Sequence, residues 1–200
     1  MDAQREATHF KNRVLDLVDL FVKKQPTSPL VVSLILPLIT ITTSSGSDEK
    51  QLIDKAQGIL RSRIGKSKDV PMDAPLDKVE EVAEALHARA RKSRSDVSAT
   101  ICACCLYLSK IMVHQQAEDK VVKLYSDTLE DFLTRKNSAL SPVFFQDFVN
   151  KFTGLAWKLR QPLLDLSAKA VNAYRQMQAL RLLQSLLNNL HSLVSSGTFV

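Results

Sequence analysis

Hydrophobic positions recur at steps of three and four along most of the chain, the period of an amphipathic helix rather than the alternation of a half-buried strand. Phe10, Val14, Leu17, Val18 and Phe21 predict a helix from Glu6 to Lys24 with that stripe in a core. The next segment, SPLVVSLILPLITITTSS over residues 28–45, is apolar nearly all round. Ser28 can offer its side-chain oxygen to the open amides of a starting helix, and Pro29 suits the first helical position. Pro37 removes one donor and crowds the carbonyl four residues back, so the helix is expected to kink there or to form two short pieces. The β-branched run from Leu38 to Thr43 leaves a strand as the rival reading. A membrane span needs about 20 apolar residues, and the stretch from Leu30 to Ile41 is too short for one.

A third helix is expected from Ser47 as cap, through Asp48 and Glu49, to Ile64. The pattern then stops at GKSKDVPMDAP, residues 65–75, which predicts the longest loop and the best place for a mobile or functional segment. Helix four, Leu76 to Ser93, turns Val79, Val82, Ala83, Leu86 and Ala90 inward, and helix five, Asp96 to Val113, buries Val97, Ile101, Leu108 and Met112. Helix six, Asp119 to Thr134, carries Val121, Val122, Tyr125, Leu129, Phe132 and Leu133 as its stripe. Helix seven opens on Ser141-Pro142, packs Phe144, Phe145, Phe148, Val149 and Phe152 with Trp157 nearby, and is expected to end at Gly154. After a break at Gln161-Pro162, one long helix to Leu193 should bury Leu166, Ala170, Ala173, Met177, Leu180, Leu183, Leu187 and Leu190, and residues 195–200 should fray.

About eight helices in 200 residues fit two-helix units of HEAT or armadillo size, so the expected fold is all-α, an irregular solenoid of helical hairpins in one domain, with a compact helical bundle as the alternative. A composition 45% hydrophobic and 24% charged is that of a globular chain and excludes global disorder. The polar start MDAQREATHFKNR has no apolar signal region, so the chain is expected to stay inside the cell.

Candidate chemistry is sparse. Cys102, Cys104 and Cys105 have no second pair elsewhere with which to hold zinc, and Cys104 and Cys105 fall on the apolar stripe of helix five, where cysteine packs as a small hydrophobe. The string GKS at 65–67 lacks the glycine five positions earlier that a phosphate loop requires, since Leu60 stands there, and it closes a helix instead of opening one. His9, His87, His114 and His191 are scattered without local partners and read as surface residues. Asp77, Glu80, Glu81 and Glu84 suit the start of helix four and its neighbour Lys78 rather than catalysis. No cofactor, no metal and no enzymatic site is expected. The net charge of +6 is more informative. Arg61, Arg63, Lys66 and Lys68 border the end of helix three, and Arg89, Arg91, Lys92 and Arg94 crowd the end of helix four. Such ends favour cations in any helix, yet clustered cations are also the footprint of RNA or DNA phosphate binding, and RARKSR resembles a nuclear import signal.

Four strings, FKNRVLDLVDLFVKKQPTSPLVVSLILPLI, AQGILRSRIGKSKDVP, KLYSDTLEDFL and SPVFFQDFVNKFTGLAWKL, resemble in order the C-terminal helical part of the Myb-binding protein 1A family, also called DNA polymerase phi or V, over most of residues 8–160. The resemblance implies a HEAT-like helical body, a nuclear and nucleolar location, and work in ribosome biogenesis, ribosomal RNA gene transcription and transcriptional co-regulation. Implied partners are transcription factors or pre-ribosomal factors, with RNA or DNA as a further possibility and no membrane. It also implies a fragment of a much longer protein, without that family's acidic tract and basic tail. The polymerase of the name does not carry over, because the two-metal carboxylate pair and its sheet are missing from the pattern. The expected function is a non-enzymatic scaffold, with direct nucleic-acid binding through the basic helix ends as the alternative.

Overall fold

The computed structural model describes residues 2–43, 50–93 and 95–195. Among them are α1 (Asp2–Lys24), α2 (Leu30–Thr42), α3 (Lys50–Gly58) continued by a π-helical turn (Ile59–Ile64), α4 (Leu76–Ala90), α5 (Ser95–His114), α6 (Glu118–Thr134), α7 (Pro142–Lys151), α8 (Thr153–Ala156), α9 (Arg160–Ser167) and α10 (Ala173–Ser195). Every described regular element is helical. Two compact units contain them: residues 1–86 with 99–116, and residues 87–98 with 117–200.

In the first unit α2 runs unbroken through Pro37, so it does not split into two pieces. Its β-branched end is helical because Thr40 returns its hydroxyl to the Leu36 carbonyl (3.0 Å), Thr42 to Ile39 (2.7 Å) and Thr43 to Thr40 (2.8 Å), satisfying groups that a strand would have paired elsewhere. Ser28 acts through its main chain, its carbonyl accepting the Val31 N–H at 3.0 Å, without the expected side-chain cap. The proposed cap Ser47-Asp48-Glu49 lies outside the described residues, as does the expected fraying beyond Ser195.

The wide π turn ends α3 with a bond from the Gly65 N–H to the Leu60 carbonyl (2.8 Å), five residues back, and buries Ile59, Leu60 and Ile64 together. A Cβ at Gly65 would stand 2.8 Å from the Ala103 Cβ, so this glycine lets the chain pass close against α5. The loop that follows is strapped down. Val70 and Ala74 are buried, the Lys110 ammonium donates to the Lys68 carbonyl, and the Gln115 amide donates to Met72 (2.9 Å) and Ala74 (2.7 Å). From Ile101 to Met112 α5 is buried on almost every side, including all three cysteines. Val97–His114 is apolar and long enough to cross a membrane by composition, but two-thirds of it is covered by protein, as befits a core helix.

Rings dominate the second unit. Tyr125 stacks on Phe148 at 3.7 Å between centroids, and Phe144, Phe145 and Phe132 extend the cluster. Phe152 and Trp157 are only half-buried, so the expected ring cluster is smaller than the spacing implied. α7 ends at Lys151 because Phe152 leaves helical geometry, and Gly154 sits inside α8. Pro162 occupies the third position of α9, where its missing donor would be unpaired anyway. The break expected there falls instead over residues 168–172, fixed by the Val171 N–H on the Leu133 carbonyl (2.9 Å) and by Asn172 Oδ1 accepting the Arg175 N–H (2.9 Å).

Two stripes face the other way from the sequence expectation. On α1, Phe10, Val14 and Leu17 are exposed, while Leu15 and Val22 are buried. Apolar residues cover more than half of that helix's circumference, and polar pairs choose which part docks on α3: Lys55 reaches Asp16 at 2.7 Å and the Asn12 carbonyl at 3.3 Å, and Arg63 reaches Asp19 at 2.8 Å. On α10, Ala173, Met177, Leu180 and Leu187 are exposed and Leu183 and Leu190 half-buried, because Gln178, Ala179, Leu182 and Leu186 pack inward. A polar seam sets that rotation, with Gln146 Nε2 on Ser185 Oγ (2.6 Å) and Asn189 Nδ2 on Asn150 Oδ1 (3.1 Å).

Candidate functional site

The spacing of Asp54, Gln57, Gly58, Arg61 and Ser62 puts these residues along the outer side of α3 and its π turn, and Lys66 follows just beyond. Together they line an open depression of about 270 Å³. Gly58 leaves its floor bare, since a Cβ there would touch nothing within 4 Å. The π turn supplies the width, and such turns recur at functional sites. Two cations, a hydroxyl and an amide face one carboxylate, a set able to hold a single phosphate group of a larger ligand by charge-assisted hydrogen bonds.

Of the eight cations singled out by the sequence, Arg61 and Lys66 converge on this surface. Arg63 does not, because Asp19 on α1 holds its guanidinium at 2.8 and 3.4 Å. Lys68 is exposed on the strapped loop. In the second unit Lys92 is exposed and Arg89 half-buried, whereas Arg94 lies outside the described residues. Arg91 is a structural group: its Nη2 approaches Thr128 Oγ1 at 3.4 Å, its carbonyl accepts the Ala139 N–H at 3.1 Å, and its Nε is buried without a hydrogen-bond partner among the described residues.

The reading of all four histidines as surface groups holds for His9, His114 and His191 and fails for His87, which is 2% exposed. His87 sits one helical turn beyond Ala83 on the stripe of α4, a register that could have flagged it. Its Nδ1 lies 2.8 Å from Thr128 Oγ1, and its ring meets Tyr125 and Phe144 edge-on at 4.8 and 5.4 Å. The Thr128 hydroxyl donates to the Leu124 carbonyl (2.8 Å), so the imidazole Nδ1–H is the donor to Thr128. Burial first, and the Arg91 charge second, push its pKa down to about 3, which keeps the ring neutral. Burial alone pushes the Cys104 thiol up to about 12, which makes it an inert packing group.

Arg175 also went unread in the sequence. It lies over the Phe132 ring at 4.2 Å and donates to the carbonyls of Leu140 (3.2 Å) and Ser138 (3.1 Å), pinning the turn between α6 and α7. Lys78 and Glu81 pair at 2.8 Å within the first turns of α4, as their spacing suggested.

Residues 25–198 match the family model described as Myb-binding protein 1A-like, TPR repeats. The chain belongs to this family. A Myb-binding protein 1A-like protein of Danio rerio is 26% identical over 189 residues, covering 85% of this chain and 15% of its own length. Myb-binding protein 1A of Rattus norvegicus is 25% identical over 90% of this chain and 16% of its own length, and that of Homo sapiens 28% identical over 70% and 14%. The chain therefore spans about one-seventh to one-sixth of the length of these curated relatives. No solved structure matches it. The match reaches beyond the 8–160 region of resemblance to take in α10, and a family of helical repeats fits an all-α, solenoid-like fold.

Proposed function

We propose that the chain is a non-enzymatic binding scaffold that contributes a helical-repeat surface to a nuclear and nucleolar protein serving ribosome biogenesis, ribosomal RNA gene transcription and transcriptional co-regulation. The observation that carries this reading is the family match across residues 25–198. The relatives are named for binding Myb, so a Myb-type transcription factor is the first partner to test. Helical repeats bind through faces rather than through a single reactive centre, in keeping with the helix stripes left uncovered on α1 and α10. Purified chain titrated with a purified Myb-type factor in a calorimeter should give saturable heat. Flat heats, together with diffuse cytoplasmic signal from a fluorescently tagged chain, would remove both the partner and the location.

A second reading, direct RNA or DNA binding, is favoured by the depression at the π turn, where Arg61 and Lys66 converge. Neutralising Z phosphates makes log K fall against log salt with a slope of about 0.7 to 0.9 times Z. The pair Arg61→Gln and Lys66→Gln should then lower the slope by about 1 to 2 on ribosomal RNA fragments. The triple variant Arg89→Gln, Arg91→Gln, Lys92→Gln tests the other cluster, with the melting curve recorded alongside because Arg91 is part of the fold. Unchanged affinity and slope in both sets would return these cations to the role of ordinary helix-end charges.

A further inference from the structure

The exposed side of α1 is apolar in a register that its own unit covers only in part, at the half-buried Phe21. Phe10, Val14, Leu17 and Phe21 follow one another at steps of four, three and four, the spacing of a coiled-coil seam. Phe10 is 68% exposed, Leu17 66%, and Leu20, at 52%, widens the same strip. On the far side of the helix Leu15 and Val22 pack against the unit, so the strip is left over after docking and not a helix loosely placed. The border of the strip carries exposed Arg13 and Lys24, with Lys11 at the other margin and Glu6 at the N-terminal end. The acids nearest the middle of the helix, Asp16 and Asp19, are taken up by Lys55 and Arg63. The border field is thus positive. α10 also has an apolar strip and no acidic residue; of its two cations Arg175 is bound to carbonyls of its own unit and Arg181 is exposed.

We infer that α1 is the docking face for one amphipathic helix of a partner protein whose apolar heptad positions are flanked by Glu or Asp. The inference rests on the scaffold reading above and specifies where a partner helix sits and what chemistry it carries. Apolar knobs from that helix enter between Phe10, Val14, Leu17 and Phe21, while its acids meet Arg13 and Lys24, a pairing that sets orientation and excludes helices with basic flanks. A lipid surface also attracts basic amphipathic helices, but docking of Leu15 and Val22 takes up part of the apolar surface of α1 and leaves the strip with its three- and four-residue steps. A second copy of this chain would bring the same cations against each other.

The test uses the whole chain and two designed, dye-labelled 21-residue helical peptides with identical leucine heptads, one flanked by Glu and one by Lys, read by fluorescence anisotropy. The Glu peptide should bind at least tenfold more tightly than the Lys peptide, and Leu17→Ser with Phe10→Ser should weaken it at least tenfold while leaving the circular dichroism and Tm in place, as expected for exposed positions. Equal binding of both peptides, or no loss in the variant, overturns the assignment. Cosedimentation with phosphatidylserine vesicles that is abolished by the same variant would assign α1 to a membrane, and a dimer-to-monomer change in analytical ultracentrifugation would assign it to self-association; either result overturns the proposal. Binding of a Myb-type factor that persists in the variant would remove α1 as the docking face while leaving the scaffold reading standing.

Discussion

The two units of the chain solve the same packing problem with different side chains. The first is built mainly from aliphatic and sulfur groups, Val31, Val32, Ile35, Ile39, Ile59, Leu60, Ile64 and the three cysteines, fitted around the close approach at Gly65. The second centres on rings, Tyr125, Phe132, Phe144, Phe145 and Phe148, set among aliphatic neighbours such as Leu129, Leu133 and Leu163, and it accommodates an imidazole among them. Aliphatic groups pack through many small, exchangeable contacts, so a lost methyl is a local matter. Ring clusters concentrate area and directional quadrupole contacts in a few residues, so losses there are large. The difference teaches that the first unit is tuned by shape at its backbone and the second by individual side chains.

The strongest test of that contrast is Phe148→Ala, which removes the stacked partner of Tyr125 and should cost about 3 to 5 kcal/mol in chemical denaturation. An unchanged midpoint would show that the ring cluster carries no special weight. Acid is the next largest lever. His87 is held neutral with a folded pKa of about 3, below its ordinary value near 6.5, so its contribution is complete above pH 6.5 and is lost as the pH falls toward 3, because the unfolded chain takes up a proton that the folded chain refuses. Between pH 6.5 and 5, stability should fall by up to about 1.4 kcal/mol per pH unit, and His87→Gln should abolish that part of the slope. A parallel pH dependence in the variant would mean that other groups drive it.

In the first unit the expected weak point is the backbone. Gly65→Ala forces a methyl into the Ala103 contact and should cost about 1 to 3 kcal/mol, with a matching drop in Tm. The smallest effect is expected for Ile35→Val, about 0.5 to 1.5 kcal/mol, although Ile35 is fully buried. If Ile35→Val proved as costly as Phe148→Ala, the distinction between the two cores would collapse.

The helical class, most helix boundaries and the inward stripes of α4 and α6 were legible because each of those two helices has a single apolar face, and that of α5 because nearly all of its sides are buried. α1 and α10 have more apolar surface than one contact can cover, so periodicity named their amphipathic character but not the docked side. That choice was made by partners distant in sequence, Lys55 with Asp16 on α1 and Gln146 with Ser185 on α10. Pro162 misled for a related reason: a proline near a helix start is indistinguishable by composition from one that ends a helix. The depression at the π turn was half visible, since Arg61 and Lys66 were marked by charge. The extra residue that widens the turn leaves no compositional trace, and neither does the pairing that turns Arg63 away.

The distribution of two rare residue types gives each unit its own clock. All three cysteines lie within α5 in the first unit, buried and, at Cys104, firmly protonated, whereas Trp157, the single tryptophan, belongs to the second. A thiol reagent added to the native chain can react only when the first unit opens, so its labelling rate times that opening. Indole emission responds to the second unit alone. The wild-type chain can therefore report whether its two halves open together or in turn, with no residue changed.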